Sequence, residues 1–282
     1  AGNATSAAGT VTITVTGTND TPVVSAVAAT ATEDGATIDG NFVVTDADTT
    51  DNHTFTITSA PSEGSVVNNN DGTFTFDPGA DFQNLAAGET RDVTFNYTST
   101  DDSGTGNDTS TAGTVTITVT GTNDQPVVSN VAAAATEDGA TIDGNFVVTD
   151  ADSADNHTFS ITSAPAEGSV INNNDGTFTF DPGSDFQDLA AGETRDVTFN
   201  YTATDDSGAG NATSSTGTVT ITVTGTNDQP IVSNVAAAAT EDGATVDGSF
   251  LVTDADTNDN HTFTITSAPS EGSVVNNNDG TF

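Results

Sequence analysis

Gly113-Thr-Val-Thr-Ile-Thr-Val-Thr-Gly-Thr-Asn-Asp124 puts Val115, Ile117 and Val119 on one side of an extended chain and threonines on the other. Side chains alternate across a strand, so this period of two marks a strand with one face on a core. The Gly-Thr-Asn-Asp that follows is turn chemistry and ends it. The same twelve residues stand at 9–20 and at 217–228, each time offset by 104 residues. Aligning 21–124 with 125–228 leaves 15 differences, so 89 of 104 positions are identical. Duplication this fresh makes sameness between copies weak evidence of function. A period near 100 residues is too long for a solenoid unit and fits one small domain.

Working outward from that strand, the first full repeat accommodates about seven: 23–27, 41–45, 53–59, 65–68, 73–76, 92–100 and 115–119. Residues 53–59 alternate through Phe55 and Ile57, and 92–100 through Val93, Phe95 and Tyr97. Asn69-Asn70-Asp71-Gly72 reads as a hairpin, because Asp and Gly both tolerate positive φ. No segment carries a helical period. Seven short strands in ~100 residues predict an all-β chain of tandem immunoglobulin-like sandwiches. The expected organisation is a last strand of a preceding repeat at 1–20, full repeats at 21–124 and 125–228, and the front of a third at 229–282. Those ends read as cuts through a longer array.

The 282 residues hold 41 acids against two arginines and no lysine, a formal net charge of −39. Nucleic acid and anionic membrane surfaces are excluded as partners, because both require Lys and Arg. Cations are the natural partners. The chain has no cysteine, so an extracellular domain of this kind draws on metal rather than on disulfides. No stretch approaches the ~20 apolar residues of a membrane span, so direct membrane insertion is not expected.

The acids cluster in loops. One cluster is the joint between repeats, Asn123-Asp124-Gln125-Pro126, with copies at Asn19-Asp20 and Asn227-Asp228; the proline fixes the chain's exit. Another is Asp46-Ala-Asp48, with Asp51 and Asn52 close behind and copies at Asp150/Asp152 and Asp254/Asp256. A third is Asp101-Asp102, matched by Asp205-Asp206, and Glu33-Asp34 and Glu89 add further carboxylates. Calcium takes 6–8 hard oxygen ligands, and Asp-x-Asp offers two carboxylates on one side of an extended loop. Without a cation, two carboxylates ~4 Å apart repel by about 4 kcal/mol at an effective dielectric near 20. Scattered acids such as Asp39 read as solvated surface.

Thr-Gly-Thr-Asn-Asp-Gln-Pro closing each repeat, Thr-Glu-Asp-Gly near its start, and Asn-Asn-Asp-Gly-Thr-Phe followed by Leu-Ala-Ala-Gly-Glu-Thr resemble the VCBS and cadherin-like repeats of giant bacterial adhesins. These are the RTX-type adhesins exported by type I secretion, and the resemblance covers the whole chain. It implies calcium at each joint, an extracellular place on the bacterial surface and a stalk role. Residue by residue, Asn123 and Asp124 resemble the cadherin linker motif, and Asp150 and Asp152 its Asp-x-Asp. Asp205 falls where an aspartate caps the same site. Glu137 and Glu193 would serve the following joint, as Glu33 and Glu89 serve the earlier one. Gln125 departs from the cadherin linker, where a second asparagine stands.

Catalysis finds little support. His53, His157 and His261 are one strand-opening position repeated, expected to be solvated or packed at an edge. No motif arranges Ser, His and Asp as a triad. The expectation is a calcium-stiffened, non-catalytic extender contacting neighbouring repeats of its own chain. Its rivals are a matrix or surface filament in which like chains associate laterally and a glycan- or protein-binding module.

Overall fold

A computed structural model describes all 282 residues, which divide into two compact units: 1–123 with 152–154, and 124–151 with 155–282. The first unit contains β1 (Val23–Val24), β2 (Val27–Thr32), β3 (Ile38–Asn41), β4 (Val44–Thr45), β5 (Thr54–Ser59), β6 (Ser65–Asn68), β7 (Thr73–Asp77), β8 (Thr90–Thr100) and β9 (Gly113–Thr120). A four-stranded sheet runs β2-β9-β8-β5, a three-stranded sheet β3-β7-β6, and β1 pairs with β4 in a short ribbon. Only β2 and β9 are parallel. The second unit repeats this order in β10 (Val127–Val128), β11 (Val131–Thr136), β12 (Ile142–Asn145), β13 (Val148–Thr149), β14 (His157–Ser163), β15 (Ser169–Asn172), β16 (Thr177–Asp181), β17 (Thr194–Asp205) and β18 (Gly217–Thr224). It adds an antiparallel pair, β19 (Ile231–Ser233) and β20 (Leu251–Thr253).

Alternation builds the core. Phe74 and Phe76 face inward from one sheet, and Val93, Phe95, Tyr97, Val115, Ile117 and Val119 from the other, none more than 2% exposed. Each such side chain contributes about 1.5–3 kcal/mol on burial. The Phe74 ring lies over Gly40 on the neighbouring β3, where any Cβ would collide with it. Tyr97 ties the ribbon to the core: its buried hydroxyl lies 2.7 Å from Ser25 O and 2.9 Å from Val43 O, and accepts from Val43 N at 3.2 Å. Tyr97→Phe leaves those groups short of a partner, at an expected cost of about 1–3 kcal/mol. Urea denaturation should show it as an earlier midpoint at unchanged slope.

The all-β sandwich agrees with the sequence reading, and the differences are local. The stretch 23–27 is not one strand: β1 ends at Val24, and the longer β2 runs from Val27 to Thr32. Likewise 41–45 is not one strand: Asn41 ends β3, Val44–Thr45 is β4, and Phe42 between them turns into the core at 7% exposure. The hairpin forms between β6 and β7, but positive φ is carried by Asn70 (62°) and Gly72 (93°), not by Asp71. Asp71 instead accepts from Thr73 N at 3.0 Å and Thr73 Oγ1 at 2.6 Å, closing the turn from inside. Residues 9–20 form no strand, and Val11, Ile13 and Val15 are 85%, 81% and 87% exposed. A strand needs a neighbour to take its backbone hydrogen bonds, and none lies beside this one.

Candidate metal centres

Strand ends bring the acids together. In the first unit Asp46 follows β4, Asp101 follows β8, and Asp51 lies in the loop before β5; carboxylate oxygens of the three lie within 4.8 Å of one another. The loop is folded by its own hydrogen bonds: Asp48 N donates to Asp46 Oδ1 at 3.0 Å, and Asp51 N to Asp48 O at 3.1 Å. His53 Nε2 stands 3.0 Å from Asp46 Oδ2, so this histidine is an edge residue with an acid for a partner. Asp101 accepts from Ser103 N at 2.9 Å and from Asn19 Nδ2 at 3.2 Å.

These surroundings pull the three carboxyls apart. The Asp48 N–H, and after it His53, hold Asp46 below the ordinary carboxylate range, and the Ser103 hydroxyl does the same for Asp101. Burial pushes Asp51 up, helped by the facing charges of Asp48, Asp102, Asp101 and Asp46. The second unit repeats the arrangement with Asp150, Asp155 and Asp205. His157 Nε2 lies 2.7 Å from Asp150 Oδ2, and burial, then Asp205 and Asp206, raises Asp155. Asp155 Oδ2 is buried without a hydrogen-bond partner.

A different group in the second unit is more enclosed. Glu137 follows β11, Asp228 lies between β18 and β19, and Asp256 lies in the loop after β20; their oxygens also fall within 4.8 Å. Glu137 and Asp256 are each 1% exposed. Thr226 donates to Glu137 Oε1 from N at 2.7 Å and from Oγ1 at 3.1 Å, and Asp228 N donates to Asp256 Oδ2 at 2.8 Å. That leaves Glu137 Oε2, Asp228 Oδ2 and Asp256 Oδ1 buried without hydrogen-bond partners. Burial, then Asp138, Asp256 and Asp254, pushes Asp228 above its ordinary range. Orphaned anionic oxygens are costly in a low dielectric, and one hard cation bound to all three removes the cost. The donor set is all oxygen and fits such an ion.

The first unit holds matching pieces: Thr122 N donates to Glu33 Oε1 at 2.7 Å, and Asp20 N to Asp48 Oδ2 at 2.7 Å. By the 104-residue period Glu33, Asp124 and Asp152 correspond to Glu137, Asp228 and Asp256. Asp254 pairs with His261 at 2.6 Å, as the two earlier aspartates pair with their histidines. Asn227, the counterpart of Asn123 by the same period, donates from Nδ2 to Asp228 O at 2.6 Å and braces the connection. Glu89 and Glu193 join no group: they accept from Ala86 N and Ala190 N, and Glu193 also takes Asn258 Nδ2 at 3.0 Å. Asp51, noted in the sequence only as a neighbour of the Asp-x-Asp, and its counterpart Asp155, which the sequence reading did not single out, are full members of their groups.

The family model described as bacterial cadherin-like domain matches residues 19–121 and 123–225. Among solved structures, human CDH23 EC21–23 is 14% identical, with 91% of each chain covered and a TM-score of 0.58. Mouse cadherin-23 EC22–24 is 16% identical over 84% of this chain and 78% of its own, with a TM-score of 0.52. Protocadherin gamma B7 domains 1–4 gives 18% identity over 83% of this chain and a TM-score of 0.48; the chain spans 60% of that structure. At these identities the likeness is one of fold. No curated protein sequence matches the chain.

Proposed function

The chain belongs to the bacterial cadherin-like domain family, and from that premise we propose that it is an extracellular extender: a stalk segment of a giant type I-secreted adhesin on the bacterial surface, stiffened by calcium. The observation that carries this reading is the Glu137–Asp228–Asp256 group with its three orphaned buried oxygens. Glu137 belongs to the body of one repeat, Asp228 to the connection and Asp256 to the repeat that follows. Calcium, when bound, supplies a divalent charge and 6–8 oxygen coordination at 2.3–2.6 Å, which ligands from separate loops satisfy more readily than magnesium's strict octahedron. The residues themselves do the positioning. Thr226 aims Glu137, the Asp228 N–H aims Asp256, and His157 and His261 orient Asp150 and Asp254.

Asn19, Asp20, Asp46, Asp48 and Asp101 would act in the same way at the front of the first repeat, and Asn123, Asp124, Asp150, Asp152, Asp205 and Glu33 at the next joint. Glu89 and Glu193 would close the joints from the side. On this reading the domain limits are 21–124 and 125–228, with 229–282 opening a third repeat. The role is mechanical and no chemical step is assigned.

Small-angle scattering tests it. In millimolar calcium the chain should scatter as a stiff particle, and after chelation as a flexible one with a broader distance distribution. Asp254→Asn with Asp256→Asn should loosen one joint even in calcium. A stiff particle in both buffers would mean that packing, not metal, sets the joint.

A further inference from the structure

We infer that Gln125, and Asn107 in the first repeat, are positioning residues: their amides tie the connection to the repeat it enters, so that a metal meets a ligand group already assembled on that side. The inference rests on the calcium reading above.

Proline limits what the backbone of the connection can do. Pro126 has no N–H, and the residue before a proline is held extended. The first backbone ladder to take the entering chain is β10 on β13, which starts at Val127. Ahead of it, within the second unit, Gln125 Nε2 donates to Thr213 O at 2.6 Å.

Thr213 is a firm anchor. It bridges to Thr204 near the end of β17, with their hydroxyls 3.0 Å apart. Next to it Ser214 N donates to Ala203 O at 2.9 Å, and on its other side Asp205 N donates to Ala212 O at 2.9 Å. Asp205 is one of the Asp150–Asp155–Asp205 group. One amide therefore fastens the connection to the stretch of chain that frames an acid of that group.

The first unit reaches the same end with another residue. By the 104-residue period Thr21 stands where Gln125 does, and it carries no amide. Asn107, in the loop between β8 and β9, donates from Nδ2 to Asn19 O at 2.7 Å, and Asn19 Nδ2 returns a bond to Asn107 O at 3.2 Å. Asn19 Nδ2 also lies 3.2 Å from Asp101 Oδ2, a member of the Asp46–Asp51–Asp101 group. Both repeats thus fasten the entering chain to the same loop. Gln125, where the connection departs from the cadherin linker, gains a use.

An amide is neutral, and its N–H binds a carbonyl with or without metal. A ligand set already held in place gives up less freedom on binding, so the tie should appear as affinity. Gln125 is exposed and its bond competes with water, so the tie should contribute little to stability.

Calorimetric titration of the 282-residue chain with calcium, and melting of the same proteins in chelator, test the inference. Gln125→Ala and Asn107→Ala should each weaken one set of sites about two- to tenfold, the range of a net hydrogen bond, at unchanged stoichiometry. Melting in chelator should stay where it was. Gln229→Ala is the control: it removes the same amide from the same motif, and the chain holds no counterpart of Thr213 for it to reach. It should leave every affinity unchanged. If the unaltered chain binds calcium and either of the first two variants binds it equally tightly, the inference alone is overturned. Equal weakening by Gln229→Ala overturns it too, as does a melting point in chelator that falls in step with affinity. An unaltered chain that takes up no calcium would remove the calcium reading and the inference with it.

Discussion

Chelating calcium from the 282-residue chain is expected to lower its melting temperature by about 10–20 °C. A ligand that binds only the folded state stabilises by RT ln(1 + [L]/Kd), about 2.7 kcal/mol at a hundredfold excess over Kd. In a domain of ~100 residues each kcal/mol moves the midpoint by about 4–8 °C, so a single saturated site accounts for the shift. The physical source is on the inside of the acidic groups. Glu137 and Asp256 are 1% exposed, and each keeps one buried oxygen without a hydrogen-bond donor. Without a cation those oxygens face one another and Asp228 across a low dielectric. Magnesium should restore only part of the loss, because it gives up its water reluctantly. Differential scanning calorimetry in calcium, in chelator and in magnesium measures all three. Equal midpoints in calcium and chelator would mean that the sandwich alone supplies the stability.

The sequence discloses what alternates strongly and hides what depends on contacts between distant residues. Thr114 to Thr120 shows its strand at once, because large β-branched residues alternate with threonine. β2 has the same alternation in Val27, Ala29 and Ala31, but small side chains make a weak pattern, and its parallel partner β9 lies 88 residues away. β3 is masked by Gly40, which reads as a break but makes room for the Phe74 ring. The Asp-x-Asp pairs and the Asn-Asp joints were legible as clusters. Their division was not, since Asp46 and Asp48, two residues apart, point to different partners: His53 for one, the Asp20 N–H for the other. Asp51 reaches Asp101 from fifty residues away, so its place in the group exists only after β5 and β8 have paired. The histidine carries no motif of its own. It opens a strand, and the fold of the preceding loop sets it against Asp46.

The stability of the calcium-free and calcium-loaded protein is expected to respond to pH with opposite sign. Without calcium, Asp51, Asp155 and Asp228 hold their protons more tightly folded than unfolded, with burial the first cause in each. A raised acid contributes stability while protonated and loses that contribution as pH rises through its raised value. Asp46, Asp101, Asp102 and Asp254 behave in the opposite way: each is held low by hydrogen bonds, so each contributes above the ordinary carboxylate value and fails as pH falls through its lowered one. The two windows separate at the ordinary value of about 3.9 for Asp. Just above that value, of these seven acids only the three raised ones are changing state, so their contribution makes the calcium-free protein melt at lower temperature as pH rises. Self-repulsion of the growing negative charge adds in the same direction. With calcium the sign reverses. Metal needs the same carboxylates deprotonated, binding releases protons, and acidification over that window strips the ion and its stabilisation. Melting curves at several pH values, on protein made calcium-free by dialysis and on protein in saturating calcium, give the two slopes directly. Asp228→Asn should flatten the calcium-free slope and weaken the calcium-dependent one, because it removes one raised acid and one ligand together. Parallel slopes in the two series would show that the raised acids are not the groups that meet the metal.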